Sequence, residues 1–181
     1  MIPVSVLKIS YHPESRSYAV ILKEITGKKC LPVVVGSFEA QSIALAIEVV
    51  NTPRPLTHDL ICDLIKGIDG NLSSVKINHL DDGVFFAQME IHSQELGKRV
   101  IDARPSDAIA VALRLNAPIL VAKEIIKKAG IGQENLVDEK KVVKNPKISL
   151  KALKQKLKNA IDEEEYEVAA KLRDKIIKLE S

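Results

Sequence analysis

The chain has 181 residues, 46% of them hydrophobic, with 27 lysines and arginines against 24 aspartates and glutamates. That is enough apolar material for one buried core, and no apolar run reaches the length of a membrane span. Residues 1–135 hold 15 basic and 15 acidic side chains, and residues 136–181 hold 12 and 9, so the body is no basic clamp for nucleic acid, and any general attraction to polyanions comes from the tail.

No charged-then-apolar leader opens the sequence, which reads as a soluble cytoplasmic protein. Cys30 and Cys62 lack metal-like spacing and are expected as free, buried thiols in a reducing compartment.

In chain order, "PVSVLKISY", "SYAVILKEI" and "CLPVVVGS" alternate like strands, with a turn at "TGKK". "FEAQSIALAIEVV" places Ile43, Ala46, Ile47 and Val50 at helical spacing, and "NTPRP" breaks it. A helix from Thr57 to about Ile68 sets Leu60, Ile61, Leu64, Ile65 and Ile68 on one face, opposite Asp59, Asp63 and Lys66. "SSVKINHL" and "GVFFAQMEIHS" form a hairpin across Asp82-Gly83, a pair suited to a turn with positive φ. A further strand ("KRVIDA"), an almost wholly apolar helix opened by Pro105, a short strand at "PILV" and a helix stopped by Gly130 complete the body. Strands and helices come in mixed blocks, so the expected class is α+β, a mixed and mostly antiparallel sheet packed with helices.

Residues 131–147 read as a polar linker. In residues 148–181, Leu150, Leu153, Leu157 and Ala160 mark one amphipathic helix, and Val168, Leu172, Ile176 and Leu179 a second. This antiparallel α-hairpin is too small to be stable alone. It calls for the body (residues 1–130), a second copy of the chain or another protein.

Two segments, "RPLTHDL" and "DARPSDAIAVALR", repeat one device: Arg, then Pro, then Asp at the mouth of a helix. Two well-made helix starts explain these residues without chemistry, since Pro suits the first helical position and Asp faces the positive helix end. A site explains them as well. Arg54 and Arg104 would sit beside free backbone N–H groups, a combination that suits phosphate. Asp107 stands on a helix apolar nearly all round, with Arg114 within about 20° of it, so it is either paired or in a site.

His58 offers an imidazole for acid–base work, and Asp102 a carboxylate at a strand end. If both entrances meet, His58, Asp59, Asp102 and Asp107 form a catalytic cluster flanked by Arg54 and Arg104 as phosphate binders. Asp59 and Asp107, with Glu39 as a third acid, would then hold Mg²⁺ or Mn²⁺ for phosphodiester hydrolysis. Thr57 and Ser106 read as first-turn hydroxyls, because no base is spaced to activate them. His12, His79 and His92 are scattered through strands, and the scarcity of aromatics argues against base stacking as the main grip on single strands.

"LPVVVGSFEA", "RPLTHDL", "DARPSDAIAVALR" and "API" together resemble the bifunctional nuclease domain family, a bacterial and plant group with DNase and RNase activity. The resemblance spans residues 1–130 and implies an α+β nuclease acting on DNA, RNA or both. The tail, above all "EYEVAAKLRDKI" with Tyr166, Ala169, Ala170, Leu172, Arg173 and Asp174, is similar to the UVR motif. That is the helical hairpin through which excision-repair subunits B and C contact each other, and it implies protein docking. The competing expectation is a non-catalytic adaptor of a DNA-repair or stress-response complex.

Overall fold

The computed structural model describes residues 1–12, 17–50 and 52–136. The hairpin expected at residues 148–181 and most of the linker lie outside them. Eight strands and four α-helices follow in the order β1 (Ile2–His12), β2 (Ser17–Glu24), β3 (Lys29–Val35), α1 (Ser37–Ile47), α2 (Thr57–Gly67), β4 (Gly70–Asp81), β5 (Val84–Ser93), β6 (Gly97–Ala103), α3 (Pro105–Leu115), β7 (Ile119–Val121), α4 (Lys123–Ala129) and β8 (Ile131–Gly132). A 3₁₀ turn, Gln133–Leu136, follows. The folded body thus runs past Gly130, because β8 adds to the edge of β3 through Lys29–Gly132 and Cys30–Ile131.

One sheet takes the order β6-β5-β4-β7-β1-β2-β3-β8. It is two antiparallel meanders, β1–β2–β3 and β4–β5–β6, stitched by β7. That strand has three residues, Ile119–Val121, which pair parallel to Val75–Ile77 on one side and antiparallel to Ile2–Val4 on the other. The class is α+β with a mostly antiparallel mixed sheet. Between β4 and β5 the turn is built on Asp82 and Gly83, at φ 45° and 81°, the left-handed pair required by a two-residue hairpin.

α3 is the centre of the core. Ala108, Ile109, Ala110, Val111 and Ala112 have no solvent exposure, and the helix touches α1, α2, β3, β4 and β5. β3 lies four strands from β4 in the sheet, so the sheet curls around α3 to reach it from both sides. The alanines make this possible, since their small side chains let backbones approach closely. Both cysteines are buried free thiols, and burial pushes each above its usual thiol range.

Two helices differ from their sequence-based outlines. α1 ends at Ile47, and Val49 sits in the left-handed region at φ 52°, so Ile47 and Val50 project outward instead of extending the buried face. α2 is rolled by roughly 80° from the expected face. It buries Cys62 and Ile65, with Ile61 packed against the core, while Leu60, Leu64 and Ile68 stay exposed. The roll swings His58 and Asp59 towards α1 and α3, where they find polar partners. Two substitutions test it by chemical denaturation. Ile65→Ala is expected to cost about 2–5 kcal/mol, and Leu64→Gln, at a residue 61% exposed, no more than about 0.5 kcal/mol.

Candidate functional site

Each side chain of the site is placed by a helix start or a helix face. Pro105 opens α3 with Arg104 at the N-cap in extended conformation (φ −66°, ψ 142°). Arg104 can therefore fold back over the first turn, where Asp107 waits three residues on. Its Nε donates to Asp107 Oδ2 at 2.7 Å and its Nη2 to Oδ1 at 3.1 Å, a two-point clasp. Nη1 reaches out of the helix to Glu39 Oε1, 3.1 Å away in the first turn of α1. Arg104 remains 67% exposed, so this guanidinium faces solvent while its partners are partly covered.

Behind it runs a second line of contacts. His58, in the first turn of α2, has Nε2 at 3.1 Å from Asp107 Oδ1 and Nδ1 at 2.8 Å from Ser42 Oγ. Ser42, on α1, is buried. Burial raises the affinity of Asp107 for a proton, but the hydrogen bonds and charges of Arg104 and His58 outweigh it and hold the carboxyl below the usual aspartate range. An ionised carboxylate only accepts, so His58 donates from Nε2, and in the neutral ring Nδ1 is then the nitrogen that accepts from the Ser42 hydroxyl. The result is an acid–imidazole–hydroxyl line across three helices, α3 to α2 to α1.

Asp59 turns the other way. Its Oδ2 accepts the Leu56 N–H at 2.9 Å, closing the start of α2, and its Oδ1 accepts from Arg114 Nε at 2.6 Å. Arg114 is 11% exposed and also donates through Nη1 to the carbonyls of Ser42 and Ala110, at 3.2 and 3.0 Å. The Arg114 hydrogen bond, then that of Leu56, hold the Asp59 carboxyl below its ordinary range. Asp107 and Arg114 do share one stripe of α3, but they serve different partners two turns apart.

The two helix entrances therefore meet, bringing Glu39, His58, Asp59, Arg104 and Asp107 into one network. Ser42 and Arg114 join as members not anticipated in those roles. The available signal for Ser42 was its spacing from Glu39, three residues and hence one helix face. Asp102 does not join. It lies exposed on β6 opposite Gln88, while its neighbours Ile101 and Ala103 pair with the buried Met89 and Ala87. Strand alternation sends Asp102 to the outer face. Arg54 is exposed on the loop before α2; its carbonyl accepts from Thr52 Oγ1 at 2.7 Å, and its side chain makes no hydrogen bond to the network.

Glu39, Asp59 and Asp107 do not form a cation cradle in this arrangement. Both oxygens of each aspartate are engaged, Glu39 is tied to Arg104, and among the described residues no three of His, Cys, Asp and Glu stand where a metal ion would be held. A hard divalent ion needs carboxylate oxygens turned towards one point, and here guanidiniums occupy those directions.

Residues 20–134, which include every member of this network, match the model of the bifunctional nuclease domain. The chain belongs to the bifunctional nuclease domain family. An uncharacterized protein of Mycobacterium tuberculosis is 38% identical over 128 residues, covering 71% of this chain and 76% of that relative. Bifunctional nuclease 2 of Arabidopsis thaliana is 26% identical over 197 residues, covering 95% of this chain and 57% of the plant protein. Bifunctional nuclease 1 of the same plant is 24% identical over 187 residues, covering 87% and 55%. The chain thus spans little more than half the length of these plant proteins. Residues 147–181 match the UvrB/uvrC motif, in agreement with the tail's sequence pattern. Among the described residues, no helix of this bifunctional nuclease domain protein is long and apolar enough to cross a membrane.

Proposed function

We propose that this protein is a nuclease that hydrolyses phosphodiester bonds of DNA, RNA or both without strong sequence preference, with residues 148–181 docking it to a protein partner or a second copy in the cytoplasm. The observation that carries the reading is the Ser42–His58–Asp107 line, with the exposed Arg104 clasping its acid. In this reading the substrate phosphate meets Arg104, whose outward guanidinium offsets the charge that builds on the phosphoryl oxygens. His58 Nδ1 is the basic nitrogen. It draws the Ser42 proton while Ser42 takes one from the attacking water. The water oxygen bonds to phosphorus as the P–O bond to the departing sugar oxygen breaks, and Asp107 stabilises the imidazolium that forms. The leaving oxygen takes its proton from solvent, and the imidazolium later returns its own to bulk water. Arg54, on its loop, grips a neighbouring phosphate.

Mg²⁺ or Mn²⁺ enters this reading only through an exchange, since an ion would have to displace Arg104 to gain Glu39 and Asp107. No step above depends on it. The test is cleavage of a labelled oligonucleotide by extensively purified protein, with Mg²⁺, with Mn²⁺ and with EDTA. His58→Ala is expected to lower the rate by about 10²–10⁴ while melting as a folded protein. Cleavage that survives in His58→Ala at the parent rate would assign the activity to a contaminant, and the adaptor reading would take its place. Activity that is abolished by EDTA and restored by the ion would overturn the metal-free line, in favour of an ion that displaces Arg104.

A further inference from the structure

A hollow of about 450 Å³ opens between the end of α1, α2 and the end of α3. Its size falls in the range of roughly 300–1,000 Å³ usual for small-ligand sites. Leu45, Val50, Pro55 and Leu113 give it apolar walls, and the Asp59–Arg114 pair lines it too. The Arg114 guanidinium is immobilised by bonds to three oxygens, Asp59 Oδ1, Ser42 O and Ala110 O. A guanidinium fixed in this way is a planar surface suited to stacking on a nucleobase. Asp63, Lys66 and Asn116 also line the hollow and bring polar side chains to it. Thr52 and Pro55 line it as well, which sets Arg54, between them in sequence, at its rim.

We propose that this hollow receives a single unstacked nucleobase, with Arg54 on the adjoining phosphate. The proposal rests on the nuclease reading and names its substrate class: single strands and frayed ends, because a base inside a concave site has left its duplex. It also supplies a grip that the rest of the body lacks. With 15 charges of each sign in residues 1–135 and no tryptophan in the chain, the body has no net positive charge to draw the strand and few aromatic rings on which to stack it. A base anchored beside Asp59 would carry its backbone towards the start of α2, where His58 stands.

The experiment titrates the full-length protein with adenosine 5′-monophosphate and, separately, with ribose 5-phosphate, following methyl resonances of Val50 and Leu113. The nucleotide is expected to shift both and to bind at least about tenfold more tightly than the base-free sugar phosphate, as the loss of one stacked base predicts. Ala46→Trp, which fills the hollow, and Arg54→Ala, at an exposed position with no threat to folding, are each expected to weaken the nucleotide about tenfold. Single-stranded oligonucleotide is expected to be cut about tenfold faster than a blunt duplex, with that preference lost in Ala46→Trp. Equal binding of nucleotide and sugar phosphate, or unchanged nucleotide binding in both variants, would overturn the proposal. Base-dependent binding without any cleavage would sink the nuclease reading and leave the hollow standing; cleavage without base-dependent binding would do the reverse.

Discussion

Asp107→Asn is expected to lower kcat for oligonucleotide cleavage by about 10²–10⁴, whereas Asp102→Asn stays within about twofold of the parent. The contrast follows from geometry. Asp107 accepts from His58 Nε2 and from two nitrogens of Arg104. An amide in its place can offer an N–H to Nε2, which moves the imidazole proton to Nδ1 and removes the basic lone pair from Ser42. It also releases Arg104 from its two-point clasp, so the guanidinium loses the position from which it would meet phosphate. Asp102 faces the outer side of β6 and touches none of these atoms. The measurement is single-turnover cleavage of a saturating labelled strand, with circular dichroism to confirm that both variants are folded. Equal losses in the two variants would mean that the line through His58 is not where hydrolysis occurs.

The same comparison shows what the sequence could disclose. Helix starts, the Asp82-Gly83 hairpin and the strand blocks follow local rules, and all were legible because the periods of 2 and 3.6 residues and the turn residues act over short range. Convergence of the two Arg-Pro entrances was legible only as a condition, since it depends on α3 being sheathed by a curled sheet with α1 and α2 laid against it. The roll of α2 was not legible. Periodicity placed Leu60, Leu64 and Ile68 inside, but the pull of His58 on Ser42 and Asp107 and of Asp59 on Arg114 set the helix orientation. Polar pairs between helices override an apolar stripe when the stripe is broad, and that of α2 is: Ile61 and Ile65, at one border of the expected face, continue into Cys62, and this border is the part that is buried. Asp102 misled for the converse reason: two residues from Arg104 in sequence, it is turned away by strand alternation.

Arg114→Leu gives the second large effect, on stability. The guanidinium is nearly buried and satisfies Asp59 and two carbonyls, while Asp59 keeps 32% of its side chain in water. Losing it strands a carboxylate beside an apolar group, at a cost of about 2–4 kcal/mol. That lies at or below the range for fully buried pairs because the exposed part of Asp59 stays hydrated. The loss should depend on pH in a defined sense. In the folded parent Asp59 is held below its ordinary value, so the unfolded chain binds the proton first as acid is added, and stability falls with pH in that window.

The stabilisation from this pair is complete above the ordinary aspartate value, about 3.9, and disappears as pH drops through the lower folded value. In Arg114→Leu the cause of the depression is gone. The gap between parent and variant should therefore be widest at pH 6–7 and narrow steadily below pH 4, while Asp107, whose carboxyl is also held low, keeps both proteins acid-sensitive to a common degree. Urea midpoints at pH 7, 5, 4 and 3 measure this, and Asp59→Leu added to Arg114→Leu should recover part of the loss by removing the stranded charge. A parent–variant gap that stays constant from pH 7 to pH 3 would mean that Arg114 acts through its two carbonyl bonds and packing alone, with the ion pair contributing nothing to the fold that holds His58 in place.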